Sequence, residues 1–127
     1  GFGAIVLMAS DQAFVAKEQC AIYGATKAAI AQLAKSTALD YATYGIRVNC
    51  VCPGTIDTPM YQAVISQFQQ KTGLAASLIR EQVAKKLPLQ RVGKPEEVAE
   101  LVGFLCSEAS SFMTGALINI DGGYTIQ

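Results

Sequence analysis

The chain has 127 residues, enough for one domain and too few for two ordinary ones. Half of it is apolar (51%) and only 16% is charged, so it is composed to bury a core, and an intrinsically disordered chain is excluded. Ten basic and ten acidic residues cancel, which leaves no electrostatic footprint for nucleic acid or for an anionic membrane surface.

The first element is the apolar run Gly3-Ala4-Ile5-Val6-Leu7-Met8-Ala9. It is far shorter than the ~18 residues of a membrane span. It reads as a strand buried on both faces, of the kind found in parallel sheets. No basic segment followed by an apolar stretch and a small-residue cleavage site supports secretion. From about Ile22 to Ala42 the sequence is rich in Ala, Lys, Leu and Gln and has no proline, which predicts a long helix. Its alanines (25, 28, 29, 31, 34 and 38) allow another backbone to come close, and Gly45 follows where a chain reversal needs it. Ile46 to Val51 is a second β-branched run, stopped by Pro53-Gly54.

Thr58 to Leu87 is expected to be helical in pieces, with a break near Thr72-Gly73. Pro95 with Glu96 and Glu97 marks a further helix start, since proline suits a first turn and carboxylates suit the positive end of the dipole. That helix is predicted to reach Cys106, with Val98, Leu101, Val102 and Leu105 as its apolar stripe. Ala116 to Ile120 makes the last strand, closed by Asp121-Gly122-Gly123. Strands alternating with helices imply an α/β fold: a three-layer, doubly wound parallel sheet with right-handed crossovers. Three strands make a poor sheet by themselves, and the first is too apolar for a comfortable edge. The chain also runs from Gly1 almost directly into strand-like sequence, so we expect it to be only the carboxyl-terminal part of such a domain.

The chain has no histidine, which excludes a Ser-His-Asp triad, a Cys-His pair and an HExxH zinc site. The four cysteines (20, 50, 52 and 106) form no CxxC pair and are expected to be small buried hydrophobes in a reducing cytoplasm, with no metal bound. Cys50 and Cys52, two apart on a strand, should point to one face.

Tyr23 and Lys27 stand at i and i+4, one helical turn apart on the same face. Ser10 lies thirteen positions before Tyr23, just past the first strand, on the rim where parallel α/β sheets bind ligands. Each has a plainer reading: a surface pair for the first two, a turn or cap residue for the serine. Taken together they resemble the Ser/Tyr/Lys set of the short-chain dehydrogenase/reductase family. Arg47-Val48-Asn49-Cys50-Val51-Cys52-Pro53-Gly54-Thr55-Ile56-Asp57-Thr58-Pro59-Met60 is similar to its RVNxVxPGxxxTxM segment. Arg91-Val92-Gly93-Lys94-Pro95-Glu96-Glu97-Val98-Ala99 resembles its RxGxPEEVA helix start. Thr114-Gly115 and Asn119-Ile120-Asp121-Gly122-Gly123 resemble its TG…VDGG ending, with Ile120 in place of valine.

The resemblance implies a Rossmann-type fold and hydride transfer between NAD or NADP and a small alcohol or ketone. It gives Tyr23 the part of acid and base, Lys27 that of holding the nicotinamide ribose hydroxyls, and Ser10 that of binding the substrate oxygen. Pro53, Gly54, the Ile56 backbone and the Thr58 hydroxyl would position the nicotinamide. The chemistry is sound in magnitude. A free phenol ionises near pH 10, and one ammonium at ~4 Å in an effective dielectric of ~20 is worth about 4 kcal/mol, enough to make a phenol a usable base near neutrality. The stretch 59–90 takes the place of the family's substrate-covering segment. Met60, Tyr61, Val64, Ile65, Phe68 and Leu74 there could line an apolar pocket or equally form the core of a helical hairpin.

The family's glycine-rich TGxxxGxG turn, which brings the pyrophosphate to a helix N-terminus, has no counterpart here, nor has its NNAG segment. The amino-terminal βαβ half is therefore expected to be absent from 1–127, and the polypeptide alone to bind cofactor weakly and to be inactive. The resemblance further implies a homo-oligomer, dimer or tetramer. An alternative is a non-catalytic assembly module or a fragment that complements a separate amino-terminal half.

Overall fold

A computed structural model describes residues 2–127; Gly1, where the expected domain begins, lies outside the described residues. Three parallel strands form one sheet in the order β1-β2-β3: β1 (Gly3–Met8), β2 (Ile46–Pro53) and β3 (Leu117–Ile120). The crossover from β1 to β2 is α1 (Ala21–Tyr41), and the crossover from β2 to β3 contains α2 (Pro59–Thr72), α3 (Ala76–Lys85) and α4 (Pro95–Cys106). Helix α1 packs on one sheet face and α4 on the other, which makes three layers and matches the expected α/β architecture.

The centre of the sheet is β2. Val48, Asn49, Cys50, Val51 and Cys52 are all almost completely buried, as a strand covered on both faces requires. Ala34 and Ala38 of α1 press on Val48, Cys50 and Cys52, so the small side chains at these helix positions let helix and strand come into close contact. The first strand is not buried on both faces, but it lacks a neighbour as its apolar sequence led us to expect. It stands at one edge of the sheet, and Ile5 and Met8 are 43% and 42% exposed, because nothing among the described residues covers that flank.

The RVN segment of β2 fixes the chain returning from α4. The Arg47 guanidinium donates to the carbonyls of Leu105, Ser107 and Met113, and the Asn49 amide donates to Met113 O while its oxygen accepts Ala116 N–H. These bonds satisfy backbone groups left over at the end of α4 and in the turn before β3.

The helical insertion breaks where expected, at Gly73, whose φ of 70° suits glycine. Tyr61 and Ile65 of α2 bury against Ile79 of α3 as a hairpin core. Met60, Val64, Phe68 and Leu74 remain exposed and are not part of that hairpin core. Cys50 and Cys52 are buried on one face with their sulfurs 4.0 Å apart, but Cys106 is exposed, contrary to expectation, because it ends α4 on the solvent side. No helix of the described residues is long and apolar enough to cross a membrane.

Candidate active site

The carboxyl ends of β1 and β2 carry the residues singled out from sequence. Ser10 follows β1 directly and caps a 3-10 turn, Asp11–Ala13; its Oγ accepts the Gln12 N–H at 3.1 Å and donates to Asp11 Oδ1 at 3.1 Å. The plain reading of Ser10 as a cap is thus correct, and the residue is buried at the strand end, 7% exposed.

Tyr23 and Lys27 both lie in the first two turns of α1. The Lys27 Nζ sits 5.5 Å from the centroid of the Tyr23 ring and 3.4 Å from the carbonyl oxygen of Met8, the last residue of β1. Lys27 is thereby brought to the strand end from which Ser10 projects. Tyr23 is 40% exposed, and its side chain makes no hydrogen bond among the described residues. The start of α1 leans on the turn after Ser10: a Cβ at Gly24 would stand 3.6 Å from Gln12 Oε1.

Pro53 ends β2, paired with Ile120, and Gly54 N–H donates to the Ile120 carbonyl. The expected reason for Gly54 was a close approach to the nicotinamide. The structure gives it a reason within the chain itself, since a Cβ there would stand 2.8 Å from Asp121 Cβ and 2.9 Å from its Cα. Ile56 forms a short parallel bridge with Gly93, and its Cδ1 fills the space a Gly93 side chain would need. Thr58 is the N-cap of α2, its hydroxyl accepting Tyr61 N–H at 3.2 Å.

One ion pair and one hydrogen-bonded carboxylate brace this end. Arg91 grips Glu97 through two bonds of 2.7 and 3.0 Å, and Glu97 also accepts Lys94 N–H; these bonds hold its carboxyl down at about 2. Asp121 accepts from the Thr125 hydroxyl and from the backbone of Thr125 and Gly123. Burial works against its ionisation, but these bonds prevail and keep its pKa below the ordinary value. Sequence reasoning missed Asp11, Lys17 and Asp121. The signal for Asp11 was present in Ser10-Asp11-Gln12, a polar helix-start pattern. A groove of about 660 Å³ opens at the opposite end of the sheet, between Gly3 and Thr114, and includes none of Ser10, Tyr23 and Lys27. Among the described residues no group of acids or cysteines could hold a metal ion.

A family model described as enoyl-(acyl carrier protein) reductase matches residues 1–125. The chain belongs to the short-chain dehydrogenase/reductase family. It is 43% identical over 125 residues to the cis-4-hydroxycyclohexanecarboxylate dehydrogenase of Sinomonas cyclohexanicum, covering 98% of this chain and 46% of that protein. A tropinone reductase homolog of Arabidopsis thaliana is 44% identical over 126 residues, covering 99% of this chain and 42% of the relative. Among solved structures, a short-chain dehydrogenase family protein from Francisella tularensis superposes with a TM-score of 0.95 at 51% identity, over 98% of this chain and 51% of the other. The L-sorbose reductase of Gluconobacter frateurii, solved with NADPH and L-sorbose, gives 0.94 at 34% identity, over 100% and 49%. The chain thus spans about half the length of these relatives, and its fold is the carboxyl-terminal part of the family's Rossmann-type sheet.

Proposed function

We propose that this chain is the catalytic carboxyl-terminal part of an NAD(P)-dependent oxidoreductase that transfers a hydride between a nicotinamide and a small alcohol or ketone. Tyr23 is its acid and base, Lys27 its electrostatic and cofactor-holding partner, and Ser10 its contact to the substrate oxygen. The observation that carries this reading is the position of the Lys27 ammonium, 5.5 Å from the Tyr23 ring and at the carboxyl end of β1 beside Ser10. That placement sets an ammonium next to the phenol ring at the strand-end rim where parallel α/β sheets bind ligands. The names of the relatives, dehydrogenases and reductases, and the NADPH bound by L-sorbose reductase support the same class.

The donor set fits the cofactor. Among the described residues the Lys27 Nζ has one long bond, to Met8 O, which leaves two of its protons for the ribose hydroxyls. The Thr58 hydroxyl uses a lone pair to cap α2 and keeps its proton for a carboxamide oxygen. Pro53, Gly54 and Ile56 form the backbone beside it. The nicotinamide, when bound, supplies or accepts the hydride. Tyr23 Oη takes or returns the hydroxyl proton, while Ser10 and Lys27 hold the reacting groups in register. The exposed apolar residues of α2, Met60, Val64 and Phe68, support a substrate-covering role for 59–90. The amino-terminal nucleotide-binding half would come from outside 1–127. Unpaired thiols support a cytoplasmic setting.

In the complete enzyme, Tyr23→Phe should lower turnover by several orders of magnitude with the oligomeric state unchanged. Normal turnover in that variant would overturn the assignment. A second reading, an assembly module, is favoured by Ile22 and Leu39 of α1, 80% and 81% exposed. It fits a dimer or tetramer built through α1, and predicts altered assembly with normal turnover when these two are changed to polar residues.

A further inference from the structure

The chain has three arginines, and two of them are engaged within it. Arg47 donates to the carbonyls of Leu105, Ser107 and Met113, and Arg91 donates to Glu97 and to the Val92 carbonyl. Arg80, on α3, differs. Its guanidinium donates no hydrogen bond among the described residues, and the only acid it approaches there, Asp57, stands 4.0 Å away. That separation carries attraction between the charges but no hydrogen bond.

Arg80 is held in place all the same. Its Cζ lies 5.4 Å from the centre of the Tyr61 ring. Tyr61 is buried in the core of the helical hairpin, and so is Ile79, the residue next to Arg80. A guanidinium resting on an aromatic ring is steadied by it and keeps the donors along its edge for other partners. Its place also matters. Tyr61 N–H donates to the Thr58 hydroxyl, and Asp57 directly precedes Thr58. The guanidinium thus stands at the turn that leads out of β2 into α2, and its side chain is 40% exposed there.

We propose that Arg80 is an anion-binding residue of the hairpin, whose planar donor edge takes two oxygens of a carboxylate or phosphate group. This rests on the proposed function, which brings substrate and dinucleotide to the end of β2. Either can carry the group: the substrate as an acid, the dinucleotide through its diphosphate. Asp57 competes with such a ligand. It is not left alone when the guanidinium turns away, because Gln62 Nε2 donates to its Oδ1 at 3.3 Å. Removing the Asp57 charge should therefore strengthen anion binding, and removing the Arg80 charge should weaken it.

The test compares the complete enzyme with its Arg80→Gln and Asp57→Asn variants in two arms. In the first, with NADPH saturating, ligand-observed NMR gives the affinities of cyclohexanecarboxylate and cyclohexanecarboxamide. These share a ring and differ in charge, and neither has an alcohol or ketone to be turned over. In the second, NADH and NADPH are titrated by fluorescence with no substrate present.

An acidic substrate predicts that the wild type favours the carboxylate by about tenfold, the worth of a charge-assisted bond. Arg80→Gln should then erase the preference, Asp57→Asn should widen it, and the affinity for NADH should hold. Binding of the diphosphate predicts instead that the dissociation constants of NADH and NADPH rise about tenfold in Arg80→Gln and fall in Asp57→Asn. If neither probe binds, the second arm decides alone. The proposal is overturned if Arg80→Gln moves neither arm, or if both variants weaken binding alike, as they would if the pair only held the hairpin together. Failure of the underlying reading appears elsewhere, as normal turnover in Tyr23→Phe.

Discussion

The Lys27 ammonium lies 3.4 Å from the Met8 carbonyl, so a residue on α1 is tied to the last residue of β1, nineteen positions earlier. This single long hydrogen bond holds the amine at the carboxyl end of the sheet, where Ser10 also emerges. A parallel sheet with a right-handed crossover makes the meeting possible: β1 ends at the rim and α1 begins there.

Replacing Lys27 should therefore damage chemistry more than folding. Lys27 makes one weak bond within the chain, so Lys27→Met should move the melting temperature by only a few degrees, consistent with a loss of about 1 kcal/mol. Turnover of the complete enzyme should fall by about 10²–10⁴, the usual worth of acid–base assistance. Steady-state assays with and without added primary amine would check this, and an unchanged turnover number would contradict the role.

The two glycines at the site should respond differently to alanine. At Gly54 the new Cβ would meet Asp121 Cα and Cβ at 2.9 and 2.8 Å, and a backbone atom cannot swing aside. At Gly93 it would meet Ile56 Cδ1 at 2.6 Å, the far end of a side chain that can change rotamer. Gly54→Ala should thus cost about 1–3 kcal/mol and Gly93→Ala distinctly less, as compared by chemical denaturation. The reverse order would mean that the turn at Asp121 yields more readily than Ile56.

Much of this was legible in the chain. The order of strands and helices, the break at Gly73 and the start at Pro95 follow from local propensities, and those agree with the fold at each point. That β1 lacks a neighbour was legible in its apolar sequence, whereas which of its residues stay exposed, Ile5 and Met8, was not. The site was legible in its residues but not in its supports. Lys17 and Tyr124 meet only after β3 returns beside β2, and Gly54 abuts Asp121 across sixty-seven positions of sequence. Contacts of that span leave no periodic trace.

Acid should weaken the brace at the start of α4. The Arg91 guanidinium and the Lys94 N–H lower the Glu97 carboxyl from 4.5 to about 2. A group whose pKa falls on folding stabilises the native state while it is ionised, so this contribution is complete above the ordinary glutamate range. It declines below that range and is gone once the pH has fallen through about 2. Glu97→Gln should therefore lower the melting temperature at pH 6 and by much less near pH 2. A difference between the two that persists undiminished at pH 2 would rule out the ionised carboxylate as its source.

The four thiols should separate by reactivity. Only the thiolate attacks an alkylating or disulfide reagent, so both access and ionisation count. Cys106 is exposed, at the end of α4. Cys52 is buried, and desolvation together with the neighbouring Cys50 sulfur pushes it up to about 12; burial raises Cys50 as well. Under native conditions at pH 8, Cys106 should react first and the partly covered Cys20 after it, while Cys50 and Cys52 react only on unfolding. Mass spectrometry of peptides after timed iodoacetamide treatment would order them. Modification of Cys52 at the rate of Cys106 would mean that β2 opens far more often than the centre of a sheet should.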